Sequence, residues 1–344
     1  MPHKLIRQAH PACLVFTLMA LFLSPPVFSQ GTCERIMVQD STLNNLIDPE
    51  GYRTGILGEL GRVDTYGNGP QAVVFIAGLG FDGDVIEEYA LDHADQFTFY
   101  AVTLPGFGDT PAPPAPTDDV SFGQLPWTNA AAEAVERLID SAGIEEPIMM
   151  GHWLTGTQIA LWMGLKYPDR VKGIIIASGS GCFVATDTTK FPAHPPLAMR
   201  VSSIDTYMVP KWFKTVTRET WDDNNFLPGD YAVNPIRGLR LWREAAEPRL
   251  HVWVRYLCEF YAQDVTLQLD NLKVPTLLLR PGLEGNFVDN GMDYMTAYCR
   301  TSWEASLKTS KTITEKTIPN SRAFIWFDQP EEFDRVVSEF VSGL

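Results

Sequence analysis

Short apolar runs rich in β-branched residues recur at 73–76, 97–102, 148–150, 173–178, 276–279 and 312–318, separated by longer helix-like stretches. Parallel strands need long crossover connections and bury both faces, so this alternation predicts a doubly wound, mostly parallel α/β sheet with helices on both sides. The clearest helical pattern starts near Asn129, aligns Ala132, Val135, Leu138, Ile139 and Ala142, and stops at Gly143, a residue suited to the left-handed end of a helix. From about Thr186 to Ala262 the alternation breaks. That stretch is rich in Trp, Tyr, Phe and Pro and contains a helix-like run over 244–261, so it reads as a helical cap inserted between two strands. The Pro-rich segment 111–116 reads as a loop. No period of about 20 to 50 residues repeats along the chain, which excludes solenoids and propellers.

Residues 1–29 read separately, as a secretory signal peptide: Lys4 and Arg7 precede the apolar run 12–23, then come Pro25, Pro26 and a small-residue site ending at Ser29. That run falls short of the ~20 residues needed to span a bilayer, and no later segment suffices. The expectation is a secreted or periplasmic protein without a membrane span, with a core in two parts, 30–181 and 263–344, around a cap at 182–262. Of five cysteines, Cys13 leaves with the signal; Cys33, Cys182, Cys258 and Cys299 enter an oxidising compartment, where at least one disulfide is expected and three pairings are possible. Twenty-seven Lys and Arg against 42 Asp and Glu give a formal charge of -15, which repels nucleic acid and anionic membrane surfaces. The sequence leaves the oligomeric state open.

The run from Ile148 through Gly151-His152-Trp153-Leu154-Thr155-Gly156 joins a buried strand to a helix, and Tyr167-Pro168-Asp169-Arg170-Val171 leads to the next strand. Further stations follow at matching order and distance: Ala77-Gly78-Leu79-Gly80 after one strand, Leu104-Pro105-Gly106-Phe107-Gly108-Asp109 after another, Leu272-Lys273-Val274-Pro275 before a third, and Ile318-Pro319-Asn320-Ser321-Arg322-Ala323-Phe324 near the end. In these stations the chain resembles the α/β-hydrolase family. The resemblance implies a nucleophile elbow at 151–156, a strained strand-to-helix turn that lifts a nucleophile above the sheet. It places Trp153 at the nucleophile, Thr155 at the second glycine of the motif with Gly156 just after it, and Ala323 at the catalytic His. Glu284 stands at the acid, and Thr103 where Asp is usual. Backbone amides at Leu79 and Leu154 correspond to the oxyanion donors, which do not depend on side-chain identity.

An indole carbon cannot attack an ester and a methyl group cannot accept a proton, so Glu284 has no base to orient. The first expectation is therefore a catalytically degenerate relative that binds a small apolar or aromatic molecule between core and cap, with Leu79, Gly80, Trp153, Leu154 and Ala323 around it. A second is a non-hydrolytic enzyme, a lyase, isomerase or cofactor-free catalyst, using Glu284 or a cap histidine (His194 or His251) as base. A third is a hydrolase with its nucleophile moved to Ser178, Ser180 or Cys182. The bland readings are that Trp153 fills the old cavity, that Glu284 is a solvated loop acid, that His152 is structural, and that 178–182 is a Gly-rich turn into the cap. Asp82 and Asp84 read as surface acids rather than, with Glu284, a metal site. No cofactor is expected, since Gly78-Leu79-Gly80 is too short for a dinucleotide fingerprint.

Overall fold

The computed structural model describes residues 55–117, 119–186, 189, 192–211, 227–284 and 291–344. The signal-peptide reading and Cys33 lie outside them. Seven strands form one sheet: β1 (Arg62–Tyr66), β2 (Gln71–Ile76), β3 (Phe97–Thr103), β4 (Ile148–His152), β5 (Gly173–Ala177), β6 (Thr276–Pro281) and β7 (Ile313–Ile318). Their order is β1-β3-β2-β4-β5-β6-β7, with β1 antiparallel to β3 and every other neighbouring pair parallel. The chain winds outward in both directions from the β2–β4 pair, so the crevice of such a sheet opens at the carboxyl ends of those two strands.

Six of the strands coincide with the apolar runs. β1 was not anticipated: Arg62-Val63-Asp64-Thr65-Tyr66 is a half-exposed edge whose alternation is too polar to stand out. The first long helices are α1 (Glu87–Asp92), α2 (Pro126–Ser141) and α3 (Trp153–Lys166). In α2, Ala132, Val135 and Ile139 are buried and Leu138 half-buried, while Ala142 lies past the end of the helix and is exposed; Gly143 follows with φ +61°. α3 is buried almost all round its first three turns, packed between the sheet and its neighbours.

Between β5 and β6 run α4 (Leu197–Ser203), which continues as a π-helical turn over Ile204–Met208, then α5 (Pro235–Ala246) and α6 (Leu250–Tyr261). The expected single helix over 244–261 is two helices. Pro248 has no N–H to give and its ring clashes with a preceding carbonyl, which ends α5 and starts α6 at a new angle. α6 is tied to α2 by the buried carboxylate of Glu259, which accepts from the backbone N–H groups of Trp127 and Thr128 and from Thr128 Oγ1 at 2.8–3.1 Å. It thereby fills the anion-favouring amino end of α2. The last helices are α7 (Gly291–Cys299) and α8 (Pro330–Ser342). Among the described residues no helix is long and apolar enough to cross a membrane.

Candidate functional site

β4 delivers Trp153 into the crevice with φ +57°, a left-handed conformation that is rare for any residue with a side chain. Glycines fix the turn. A Cβ on Gly151 would come within 2.5 Å of the Gly156 carbonyl oxygen, and one on Gly156 within 2.3 Å of the Ile76 carbonyl oxygen. Gly156, one place beyond the motif's second glycine, is therefore the residue that lets α3 lie against β2, and Thr155 is free to carry a side chain. A Cβ on Gly78 would meet Trp153 Cβ at 2.3 Å, so the loop after β2 is pressed against the turn after β4. The structure brings Leu79, Trp153, Leu154 and Ala323 together as buried residues. Gly80, with φ +91°, lies under the indole of Trp253 from α6. The Trp153 ring, 3% exposed, stands edge-on to Tyr298 at 6.4 Å and beside His152 at 6.3 Å.

The other side of the crevice is laced shut by backbone bonds. Ala323 N donates to Asp230 O and Phe324 N to Tyr231 O, both at 3.1 Å, so the segment before α5 is docked along the loop after β7. Tyr231 and Phe324 pack edge-on against Phe81 at 5.7 and 4.8 Å. Burial raises the Asp230 carboxyl to about 6, against the Leu227 N–H and nearby Arg322, which pull it down. His152 is fully buried, which pushes its pKa down to about 3 and keeps the ring neutral. Its Nε2 lies 3.2 Å from the Ala323 carbonyl, which selects the Nε2–H tautomer as donor, and Nδ1 has no hydrogen-bond partner.

Glu284 follows β6, in a loop joined to the Ala323 loop by Leu283 N donating to Ser321 O at 3.2 Å. Its carboxylate is exposed and accepts from Asn320 N at 2.7 Å, while its carbonyl accepts from Arg322 at 2.6 Å. The acid thus serves the turn that carries Asn320 at φ +52°.

Ser178, Ser180 and Cys182 are buried at the end of β5. Ser178 has φ +53° and its hydroxyl faces the Arg322 carbonyl at 3.4 Å; the Ser180 hydroxyl donates to the Cys182 carbonyl at 2.8 Å. Cys182 Sγ lies 3.8 Å from His194 Nδ1, but burial pushes the thiol up to about 12, so it is held as thiol at neutral pH. His93 sits far from this chemistry, on α1's outer end, paired with Asp334 at 2.8 Å. His251 lies on α6. The disulfide expectation is corrected for the described cysteines: Cys182 after β5, Cys258 on α6 and Cys299 at the end of α7 are each buried free thiols, carried by different elements.

Asp82 and Asp84 are not merely solvated. Arg62, from the unanticipated β1, lies 2.8 Å from Asp84 and 3.5 Å from Asp82. Glu244 of α5 feels the same acids; burial and then Asp82 raise it to about 7. Among the described residues no group of three His, Cys, Asp or Glu side chains could hold a metal. The residues that sequence reading missed are Tyr231, Trp253 and Tyr298, which cover the crevice. The aromatic richness of 186–262 was the available signal for the first two, but composition does not say which rings turn inward.

Three comparisons bear on this geometry. The α/β hydrolase fold family matches residues 71–225. A curated relative, the pimeloyl-[acyl-carrier protein] methyl ester esterase of Aeromonas hydrophila, is 25% identical over 288 residues, covering 81% of this chain and 98% of the relative. Among solved structures, an esterase from Exiguobacterium antarcticum superposes with a TM-score of 0.59 at 15% identity, covering 81% of this chain and 94% of that one. A bromoperoxidase from Bacillus anthracis gives the same TM-score and coverage at 14% identity. At these identities the structural likenesses establish the fold.

Proposed function

We propose that this chain, an α/β-hydrolase-fold protein, is an exported member whose catalytic centre has been emptied and which binds a small apolar or aromatic molecule between the sheet and the helices that follow β5. The emptied centre is supported by the buried indole of Trp153 on a positive-φ turn at the end of β4, and the ligand class by the aromatic rings of Trp153, Tyr298 and Trp253 gathered there. Such a turn costs ~1 to 3 kcal/mol in a residue with a side chain, and a nucleophile repays that cost by being exposed to substrate. Here the turn persists with a side chain that has no lone pair to give. Ala323 supplies only a methyl group where a base would stand, and its amide is engaged by Asp230.

Neither alternative gains a specific observation. Glu284 is exposed and engaged with Asn320. Ser180 donates to a carbonyl and Cys182 is held as thiol. The ester chemistry in the relatives' names suggests the origin of the crevice rather than its present use. The test is release of nitrophenol from short-chain p-nitrophenyl esters by the purified protein, beside Trp153→Phe and Glu284→Gln. Rates equal to buffer for all three are expected. Turnover abolished by Glu284→Gln would overturn the reading in favour of a lone-base enzyme.

A further inference from the structure

We infer that a cavity at the π-helical turn, separate from the crevice at Trp153, is a binding site for the tip of an unbranched alkyl chain. It goes beyond the ligand-binding reading above, which concerns the crevice. The cavity, about 30 Å³, is lined chiefly by Phe183, Met199, Ile204, Met208 and Tyr261, with Pro195, Arg200 and Ser203 beside them. One water needs roughly 10–15 Å³ on this measure, so the space holds two or three groups of that size, which suits the tip of a straight chain better than a bulky branched head.

Three features make it a built site rather than a packing flaw. The first is its polarity. The guanidinium of Arg200 donates to the carbonyls of Pro195, Tyr261 and Gln263 and to Asp264, all at 2.8–3.1 Å, so the donors of the cation at the wall are already engaged within the protein. A lining of apolar side chains whose neighbouring donors are engaged offers water few partners and favours hydrocarbon.

The second is the π turn itself. Inserting one residue into the helix widens it, and its first and last residues, Ile204 and Met208, are the buried pair that line the space. The turn is held open from outside, because Asp205 accepts from Ser121 Oγ at 2.5 Å and Phe122 N at 2.9 Å. The third is the mouth: Met199 lines the cavity and is 45% exposed, so a chain can enter tip first and leave its head in water.

Tyr261 forms the inner wall and is hydrogen-bonded through its side chain to Tyr298, whose ring packs edge-on to Trp153. The cavity and the crevice are therefore divided by a tyrosine pair. A single molecule reaching the crevice does not have to enter the cavity, which makes the two sites separable by experiment.

The test uses full-length mature protein carrying [13C-methyl]methionine, titrated with 1-hexanol, hexanoate and 3,3-dimethyl-1-butanol. The account expects saturable shifts of the Met199 and Met208 methyl signals with both straight chains, the charged head making little difference, and at least tenfold weaker binding of the branched alcohol. Ser203→Phe should fill the space and weaken hexanol at least tenfold, whereas Ile204→Ala should enlarge it and admit the branched alcohol. Unmoved methyl signals, or equal shifts in Ser203→Phe, would overturn the site. If hexanol instead perturbs the Trp153 indole signal while the methionines stay still, this inference fails and the ligand-binding reading survives. Covalent turnover of an ester would defeat that reading without touching the cavity.

Discussion

The turn at Trp153 and the loop pair carrying Glu284 and Ala323 lie over the same end of the sheet, yet they keep different things. At Trp153 the backbone makes a left-handed strand-to-helix turn, with φ +57° and three glycines packed to within contact of their neighbours. At Ala323 the backbone amides are tied to Asp230 and Tyr231, and the nearby acid serves its own loop. The difference teaches which backbone the packing of the sheet holds fixed and which is held by local bonds. The turn after β4 is held by the approach of α3 to β2; the loops after β6 and β7 are held by bonds to each other and to the segment before α5.

The largest effect that sharpens this contrast is at Gly156. Gly156→Val would drive a side chain into the Ile76 carbonyl, and a loss of roughly 3 kcal/mol or more in chemical denaturation is expected. Trp153→Gly comes next: it relieves ~1 kcal/mol of backbone strain but empties the indole's space, for a net loss of about 2–3 kcal/mol. A gain in stability there would show that the indole is not packed as core.

The pH response separates the two regions further. His152 has a folded pKa lowered to about 3, so the unfolded chain binds more protons between that value and about 6.5, and its share of stability is lost as pH falls through this window. Glu244 has a folded pKa raised to about 7, so the folded state holds the extra proton, and stability falls as pH rises from about 4.5 to 7. Thermal unfolding of Glu244→Gln should lose the upper limb, worth on the order of 1–2 kcal/mol, and keep the lower one. The smallest effect belongs to Glu284→Gln, where an exposed acid changes stability by no more than about 0.5 kcal/mol.

Much of the fold was legible because strands buried on both faces, such as β4 and β5, are continuous apolar runs. β1 was not, because an edge strand needs only half its residues inside, and the split at Pro248 was hidden under an unbroken apolar period. At the site, Trp153, Ala323 and Glu284 were singled out by the resemblance to a known family, not by composition or period. What fills the crevice did not, since Tyr231 and Tyr298 come from segments far away in sequence and meet Phe81 and Trp153 only in the folded molecule. The partnership of Arg62 with Asp82 and Asp84 was invisible for the same reason.

The most direct measurement of the central claim is the intact mass of the purified protein after exposure to a fluorophosphonate that labels activated serines. The account predicts an unchanged mass, because Trp153 stands on the turn and the hydroxyls of Ser178 and Ser180 face backbone carbonyls. A stoichiometric adduct, mapped to Ser178, Ser180 or any other hydroxyl, would contradict it and restore the chain to the hydrolases in activity as well as in fold.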